Sequence, residues 1–381
     1  MNSVYINKIA KFLPNEPISN DDMELVLGQI GEKPSRARRI ILRSNGIKQR
    51  YYAIDKEQNI NYNNAQLTAN AIRNLNINLD TIETLSCGTT LPDQIMPNHA
   101  VMVHGELQSK PCEVVATSGI CLSGITALKH AYLSIKAEES TTAVATGSEV
   151  VSTLLHAKNF KAESAFNEEA FNEESFKKRP EIAFEKDFLR WMLSDGAGAM
   201  LLQNKPNQNT LSLEIEWIEI FSFANEFEAC MYAGCEKIEG EIKGYREYPS
   251  EEWLRQSLFS IKQDVKLLNS NIVNITVKRT LEKALEKRKI VADEIAWFLP
   301  HYSSKYFEQE VYESLVEANF KIPKERWFTN LTTCGNTGSA SIYIMLEELF
   351  NSNRLTKGEK ILCYVPESGR FSSSFTLLEV V

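Results

Sequence analysis

Two stretches of this chain follow one grammar, and that grammar limits the fold. The first is "TSGICLSGITALKHAYLSI", followed after a gap by "TTAVATGSE". The second is "TTCGNTGSASIYIMLEEL", followed after a gap by "KILCYVPESG". Each has a small-residue turn, an apolar helix, a connector and a buried-type strand that ends at a glycine turn. In the first, apolar residues fall at Leu122, Ile125, Leu128, Tyr132 and Ile135. Steps of three or four put them on one face of a helix. Identity between the stretches is low, but the shared pattern points to duplicated halves.

The remaining segments alternate in the same way. Residues 3–13 read as a strand, and 19–30 as a short helix opened by "SNDDMEL", with a Ser or Asn cap and acids in its first turn. Residues 62–78 and 98–110 read as helices, with "TIETLSCGTT" between them as a strand. "CEVVATSGI", "TTAVATGSEVVS", "WMLSDGAGAMLLQN", "SLEIEWIEIFS" and "EIAWFLPHYSS" read as strands, and 251–289 as charged helix. The chain closes as two strands around "ESGRF". Strand–helix alternation is the α/β signature. "KPNQN" at 205–209 is the best linker, which divides the 381 residues into halves 1–206 and 207–381. Residues 159–186, with the tandem "AFNEEAFNEES", fit neither period and read as an acidic surface excursion.

Composition removes several classes of function. A formal charge of −8 disfavours nucleic acid as a general partner. The N-terminal segment has no long apolar run, and no stretch is long enough to span a bilayer, so a cytoplasmic protein is expected. The seven cysteines are irregularly spaced and form no CxxC pair, so neither a metal site nor a dithiol motif is expected. In a reducing compartment most are small buried residues. One local exception to the acidic balance is "RARRIILRSNGIKQR", with six basic residues from Arg36 to Arg50 and no acid until Asp55. It is either a solvated helix face or a dock for an acidic partner.

Cys121 stands at the start of the striped helix, where unpaired N–H groups and the macrodipole favour a thiolate. Gly119 and Gly124 beside it permit close approach. His301 follows an apolar strand at a Pro turn in "WFLPH", and Asn336 lies between glycines in "GNTGSAS". Taken singly, Cys121 reads equally well as a buried structural thiol, a lone His301 is more often a surface or hydrogen-bonded structural residue, and a lone Asn336 is most often a turn or cap residue. Together, all three sit at strand-to-helix corners, where catalytic groups of α/β folds collect.

The Cys121 segment, "SDGAGA" at 194–199, "WFLPH", "GNTGSAS" and the closing glycine turn resemble β-ketoacyl-acyl carrier protein synthase III, of the thiolase-like superfamily, over nearly the whole chain. The resemblance implies a five-layer αβαβα fold of two duplicated halves, with a catalytic triad of Cys121, His301 and Asn336. It implies that Cys121 is acylated by an acyl-CoA or acyl carrier protein thioester. The N–H groups of Cys121 and Gly369 would form the oxyanion hole. His301 and Asn336 would hold the thioester carbonyl of a malonyl substrate while carbon dioxide leaves. The enolate would then attack the acyl-cysteine. No metal or bound cofactor is implied. The expected partners are an acyl carrier protein, docked through Arg36, Arg38, Arg39 and Arg43, and a second copy of the chain, whose Met96 would close the acyl tunnel.

The chain departs from that family in its terminal turn, where Arg370 replaces a glycine, and after the histidine, where "YSS" replaces Gln-Ala-Asn. These changes point to a specialised synthase in fatty acid or polyketide-like biosynthesis. One alternative is a subgroup that condenses a β-ketoacyl thioester with a second acyl chain and cyclises it to a cyclohexanedione, a dialkylresorcinol precursor. Arg370 would then select a polar acyl group. Two further alternatives are a cysteine hydrolase with the order Cys–His–Asn and a non-catalytic partner subunit that keeps only the fold.

Overall fold

The computed structural model describes residues 3–30, 38–160 and 189–381. The acidic excursion at 159–186 and Arg36 lie almost wholly outside them. Nine strands form the main sheet: β1 (Tyr5–Phe12), β2 (Thr84–Thr89), β3 (Glu113–Ser118), β4 (Thr142–Glu149), β5 (Gly196–Gln203), β6 (Leu213–Ser222), β7 (Ile295–Pro300), β8 (Lys360–Glu367) and β9 (Ser372–Val380). Their order is β7-β8-β9-β6-β1-β5-β4-β2-β3.

This order contains one pattern twice. In the first half, β3-β2-β4-β5-β1 places the strands in the sequence order third, second, fourth, fifth, first. The fifth runs antiparallel to its neighbours, while β2 lies parallel to both β3 and β4. In the second half β7, β8, β9 and β6 take the second, fourth, fifth and first places, with the same parallel and antiparallel relations. The third place is reduced to a single parallel bridge between Phe298 and Trp327. The halves meet where Tyr5 and Ile6 of β1 pair with Glu214 and Leu213 of β6.

Helices fill three layers around these strands. Helices α2 (Asn64–Arg73) and α3 (His99–Leu107) cover the outer face of the first half, burying Leu67, Ile72 and Val103 against β2, β4 and β5. On the outer face of the second half lie α5 (Val265–Val273), a π-helical stretch Asn274–Arg279, α6 (Thr280–Lys287) and α7 (Glu308–Glu317). Between the halves run α4 (Ser123–Lys136) and α8 (Ser341–Phe350), which share one core with β1, β8 and β9. The result is helix, sheet, helix, sheet, helix. The stripe Leu122, Ile125, Leu128, Tyr132 and Ile135 is buried throughout. The connector between β5 and β6 contains the expected 206/207 boundary.

Close approach at the centre depends on missing side chains. A Cβ on Gly124 would stand 3.0 Å from the Tyr343 ring and on top of the Ser339 carbonyl. A Cβ on Gly147, in β4, would meet that same carbonyl.

Residues 251–289 are not one helix. A short helix Ser250–Arg255 stops, and Lys262–Gln263 pairs with Met231–Tyr232 as a small strand. Gln263 Nε2 reaches the Cys230 carbonyl at 3.1 Å and anchors that break. Asp264 then caps α5 by accepting from the Leu267 N–H at 2.9 Å. The early helix is also shorter than expected, Met23–Leu27. No helix among the described residues is long and apolar enough to cross a membrane.

Candidate active site

A cavity between the halves, about 890 Å³ with its mouth, is lined by Cys121, His301 and Asn336. Three unrelated corners deliver them. Cys121 sits in the turn that leads into α4, two residues before its first helical position. His301 follows the last residue of β7, with its N–H donating to the Tyr364 carbonyl at 2.9 Å. Asn336 is held by the "SDGAGA" segment. The Ser194 N–H donates to the Asn336 carbonyl at 2.8 Å, and the Asn336 N–H donates to the Met192 carbonyl at 3.1 Å.

That segment is itself fixed by Asp195, a buried carboxylate that accepts from the N–H groups of Ala53, Val151 and Ser152 and from the Ser152 hydroxyl. Burial pushes its pKa up to about 6 against those bonds. The motif is therefore a clamp that positions Asn336.

The polar groups are arranged as donors. Asn336 Oδ1 accepts from the Gly338 N–H at 3.0 Å, which leaves the Nδ2 amide free to donate. Burial lowers the His301 pKa to about 4, so the imidazole is neutral at pH 7. Cys121 keeps partial access to solvent, yet its thiol pKa is raised, first by desolvation and then by the carboxylates of Glu149 and Glu367. Its own N–H opposes that shift. The resting pair is therefore a thiol and an imidazole. This differs from the thiolate–imidazolium pair on which cysteine hydrolases depend.

The helix start alone does not ionise Cys121, contrary to the expectation from its position. A macrodipole contributes under about 2 kcal/mol, and here burial and two carboxylates outweigh it.

One side of the cavity wall is apolar, with Leu268, Ile272 and Val273 of α5, Phe307, and Val311 of α7. A shallower depression shares Thr90, Ile120, Met231 and Ile261 with the cavity and is bordered by Glu367, Gly369 and Arg370.

Two expectations for the terminal turn need correction. The Gly369 N–H donates to Glu367 Oε1 at 2.6 Å, so it is already engaged and is not an open oxyanion donor. Arg370 borders the shallow depression rather than the cavity, and its Nε donates to the Phe227 carbonyl. Among the described residues, the Cys121 N–H donates to no backbone carbonyl.

Other expected residues lie away from the cavity. Met96 is 83% exposed and lines neither space within its own chain. On α1 (Arg38–Asn45), Arg39 and Arg43 are exposed, whereas Arg38 pairs with Asp21 at 3.2 Å and Glu24 at 3.1 Å. Arg50 is fully buried and bonded to Asn20 and the Trp191 carbonyl.

Sequence reasoning missed Glu149, which lies buried at the cavity edge and is bonded to the half-buried Thr90 and to Ser339. The available signal was one acid closing an otherwise small and apolar strand, "TTAVATGSE".

Residues 285–371 match the family of 3-oxoacyl-[acyl-carrier-protein (ACP)] synthase III C-terminal segments. Over 368 residues the chain is 23% identical to a β-ketoacyl-[acyl-carrier-protein] synthase III of Clostridium kluyveri, covering 95% of this chain and 94% of that one. An Aquifex aeolicus protein of the same name is 23% identical over 351 residues, covering 92% of this chain and 91% of that one. Among solved structures, Xanthomonas campestris OleA with lauric acid and lauroyl-CoA superposes with a TM-score of 0.73 at 17% identity, covering 99% of both chains. The tetronic acid condensing enzyme AbyA1 gives 0.73 at 17% identity, again covering 99% of both. A 3-oxoacyl-(acyl carrier protein) synthase III of Pseudomonas aeruginosa gives 0.71 at 16%, covering 99% of this chain and 98% of that one. The chain thus has the fold of these condensing enzymes, carries the C-terminal segment of the 3-oxoacyl-[acyl-carrier-protein] synthase III family at residues 285–371, and is similar to proteins of that name along nearly its whole length.

Proposed function

We propose that this chain is a condensing acyltransferase of the 3-oxoacyl-ACP synthase III type. The observation that carries the reading is the meeting of Cys121, His301 and Asn336 at one apolar cavity. In this reading the first half supplies the nucleophile and the second half supplies the His–Asn pair. Cys121 Sγ attacks an acyl thioester, the CoA or carrier thiol leaves, and the acyl chain remains on sulfur. The Cys121 N–H holds the oxyanion.

A malonyl thioester then places its carbonyl oxygen against His301 and the Asn336 amide. Both are neutral donors, suited to negative charge that develops on oxygen as carbon dioxide leaves. The enolate carbon attacks the acyl-cysteine carbonyl and Cys121 departs, giving a β-ketoacyl thioester. The apolar wall favours a hydrocarbon chain over a charged one.

The substrates in this reading are CoA and carrier-protein thioesters of the cytoplasm. Arg39 and Arg43 offer an acidic carrier protein an exposed positive face. The edge strand β3 offers a second copy a site for pairing, across which Met96 would reach the partner's tunnel.

Intact-protein mass after incubation with a panel of acyl-CoA and acyl-carrier thioesters tests the reading, with Cys121→Ala as control. A mass gain lost in the variant, followed by malonyl-dependent release of a β-ketoacyl product, is the expected result. A product built from two full acyl chains would instead identify the cyclohexanedione-forming type. No gain with any donor would leave a partner subunit without catalysis.

A further inference from the structure

The condensation leaves one proton without a carrier. Cys121 enters as a thiol and must lose its proton when sulfur attacks. After condensation the departing sulfur must regain one. When Cys121 departs, His301 is occupied as a donor to the second substrate, so at that step another group has to return the proton, and the same group is placed to take it during loading.

The titratable groups around the thiol are few. Cys121, Glu149, His301, Tyr302 and Tyr364 border the cavity, and Glu367 faces Cys121 from the shallow depression. Tyr302 donates to Glu308 at 3.3 Å, and the Tyr364 hydroxyl is paired with Thr276 at 2.6 Å. Glu367 has both oxygens engaged, Oε1 by the Gly369 N–H and Oε2 by the Ser372 N–H at 3.2 Å.

Glu149 is different. It is the last residue of β4 and is 1% exposed. Its Oε1 accepts from the Thr90 N–H at 2.9 Å, the Thr90 hydroxyl and the Ser339 N–H at 3.3 Å. Its Oε2 is buried and has no hydrogen-bond partner among the described residues. Gly338 backs the carboxylate so closely that a Cβ there would stand 2.8 Å from its Cγ. One oxygen is clamped and the other is left over, beside a cavity that also holds the thiol.

We propose that Glu149 is a catalytic residue that carries the Cys121 proton, an inference that rests on the condensing reading above. As Sγ bonds to the acyl carbon, Glu149 Oε2 takes the thiol proton. As the C–S bond to the donor breaks, that proton passes to the leaving thiolate, which departs as a thiol. In the second half-reaction carbon dioxide leaves the malonyl thioester, and the enolate displaces Cys121 as a thiolate. A proton from Glu149, replenished from water, restores the thiol. Each cycle therefore consumes one proton from solvent.

The protonation balance suits the task. Burial pushes Glu149 up to about 7 against the bonds from Thr90 and Ser339, so both forms are populated near neutrality.

The test compares the full-length wild type with Glu149→Gln and Glu149→Asp, following iodoacetamide labelling of Cys121 by mass from pH 5 to 9. Gln keeps an Oε1 for Thr90 and Ser339. The expected result is labelling slowed about tenfold or more at pH 7 in Glu149→Gln, with the inflection near pH 7 lost, and part of the rate and the inflection kept in Glu149→Asp. Single-turnover acyl loading should fall about 100-fold in Glu149→Gln. A carboxylate that only holds Thr90 and Ser339 gives the opposite sign. Removing its charge lowers the thiol pKa, and Cys121 then labels faster. Labelling that is unchanged or faster in Glu149→Gln overturns the proposal. If that variant does not fold, wild-type labelling rates in Glu149→Asp overturn it. Labelling needs no acyl donor, so Glu149 is decided even if no donor loads the wild type and the condensing reading fails.

Discussion

The Tyr343 hydroxyl donates to the Gly124 carbonyl at 2.8 Å, and that bond ties the central helix of one half to the central helix of the other. Gly124 lies three residues after Cys121, and Tyr343 lies seven after Asn336. Tyr343→Phe removes a buried bond and should cost about 1 kcal/mol. Gly124→Ala forces the Ser339 carbonyl away and should cost about 1–3 kcal/mol. Urea titrations measure both. Because Gly124→Ala moves the Asn336–Ser339 corner, whose Ser339 N–H donates to Glu149, its condensation rate should fall further than that of Tyr343→Phe. Equal rates in the two variants would show that the corner tolerates displacement.

The two half-reactions should separate by mutation. His301→Ala and Asn336→Ala each remove one donor to the developing enolate, so malonyl decarboxylation should fall about 100- to 1,000-fold. Loading of Cys121 should stay within about threefold of wild type, since neither side chain holds the first oxyanion. Release of carbon dioxide from labelled malonyl thioester, beside intact mass, reads the two steps independently. A parallel loss of loading would mean that His301 also serves the thiol.

Stability should depend on pH in opposite senses at two buried groups. Glu149 is near 7 in the native state and near 4.5 when unfolded, so between these values the native state keeps a proton the unfolded chain has lost. Stability therefore falls as pH rises through that window, and Glu149→Gln should melt above wild type at pH 8 but not at pH 4. His301 is near 4 in the native state and 6.5 when unfolded, so the unfolded chain binds the extra proton as pH falls through 6.5. His301→Gln should lose less stability than wild type between pH 6.5 and 4. Melting curves at several pH values check both signs.

Carrier-protein contacts should concentrate on two of the three described arginines. Arg39 and Arg43 are exposed, while Arg38 is paired with Asp21 and Glu24. Reversing both exposed charges with Glu should raise KM for a carrier-protein donor about tenfold and leave KM for an acyl-CoA unchanged, an effect that shrinks with salt. A matching rise for the CoA donor would place the effect on the cavity itself.

The sequence was most legible where one periodicity ran unbroken. The stripe from Leu122 to Ile135 and the strand "TTAVATGSE" declare their elements because every residue on one face, or on both faces, is apolar or small. Cys121, His301 and Asn336 were readable as a set because they follow strands or open helices. The interruption at Lys262–Gln263 was not legible, since it depends on Gln263 reaching Cys230 across the fold. Engagement of the Gly369 N–H by Glu367 was also hidden, because a residue type does not reveal which acceptor its backbone meets. Glu149 was overlooked for a related reason. Its meaning lies in an oxygen left without a partner, which exists only once Thr90 and Ser339 have taken the other one.

The main sheet is unequal at its ends. On β7, the Phe298 carbonyl accepts from the Phe328 N–H at 2.9 Å, and the Ile295 carbonyl accepts from Arg326 at 2.8 Å. On β3, at the other end, Glu113, Ala116 and Ser118 are exposed along a full six-residue strand. Among the described residues, one end is capped by its own chain and the other is open. If two copies pair edge to edge as proposed, their open β3 ends would consume each other and leave only capped ends outward. The stunted third strand of the second half would then set a stopping rule against open-ended polymerisation along the sheet.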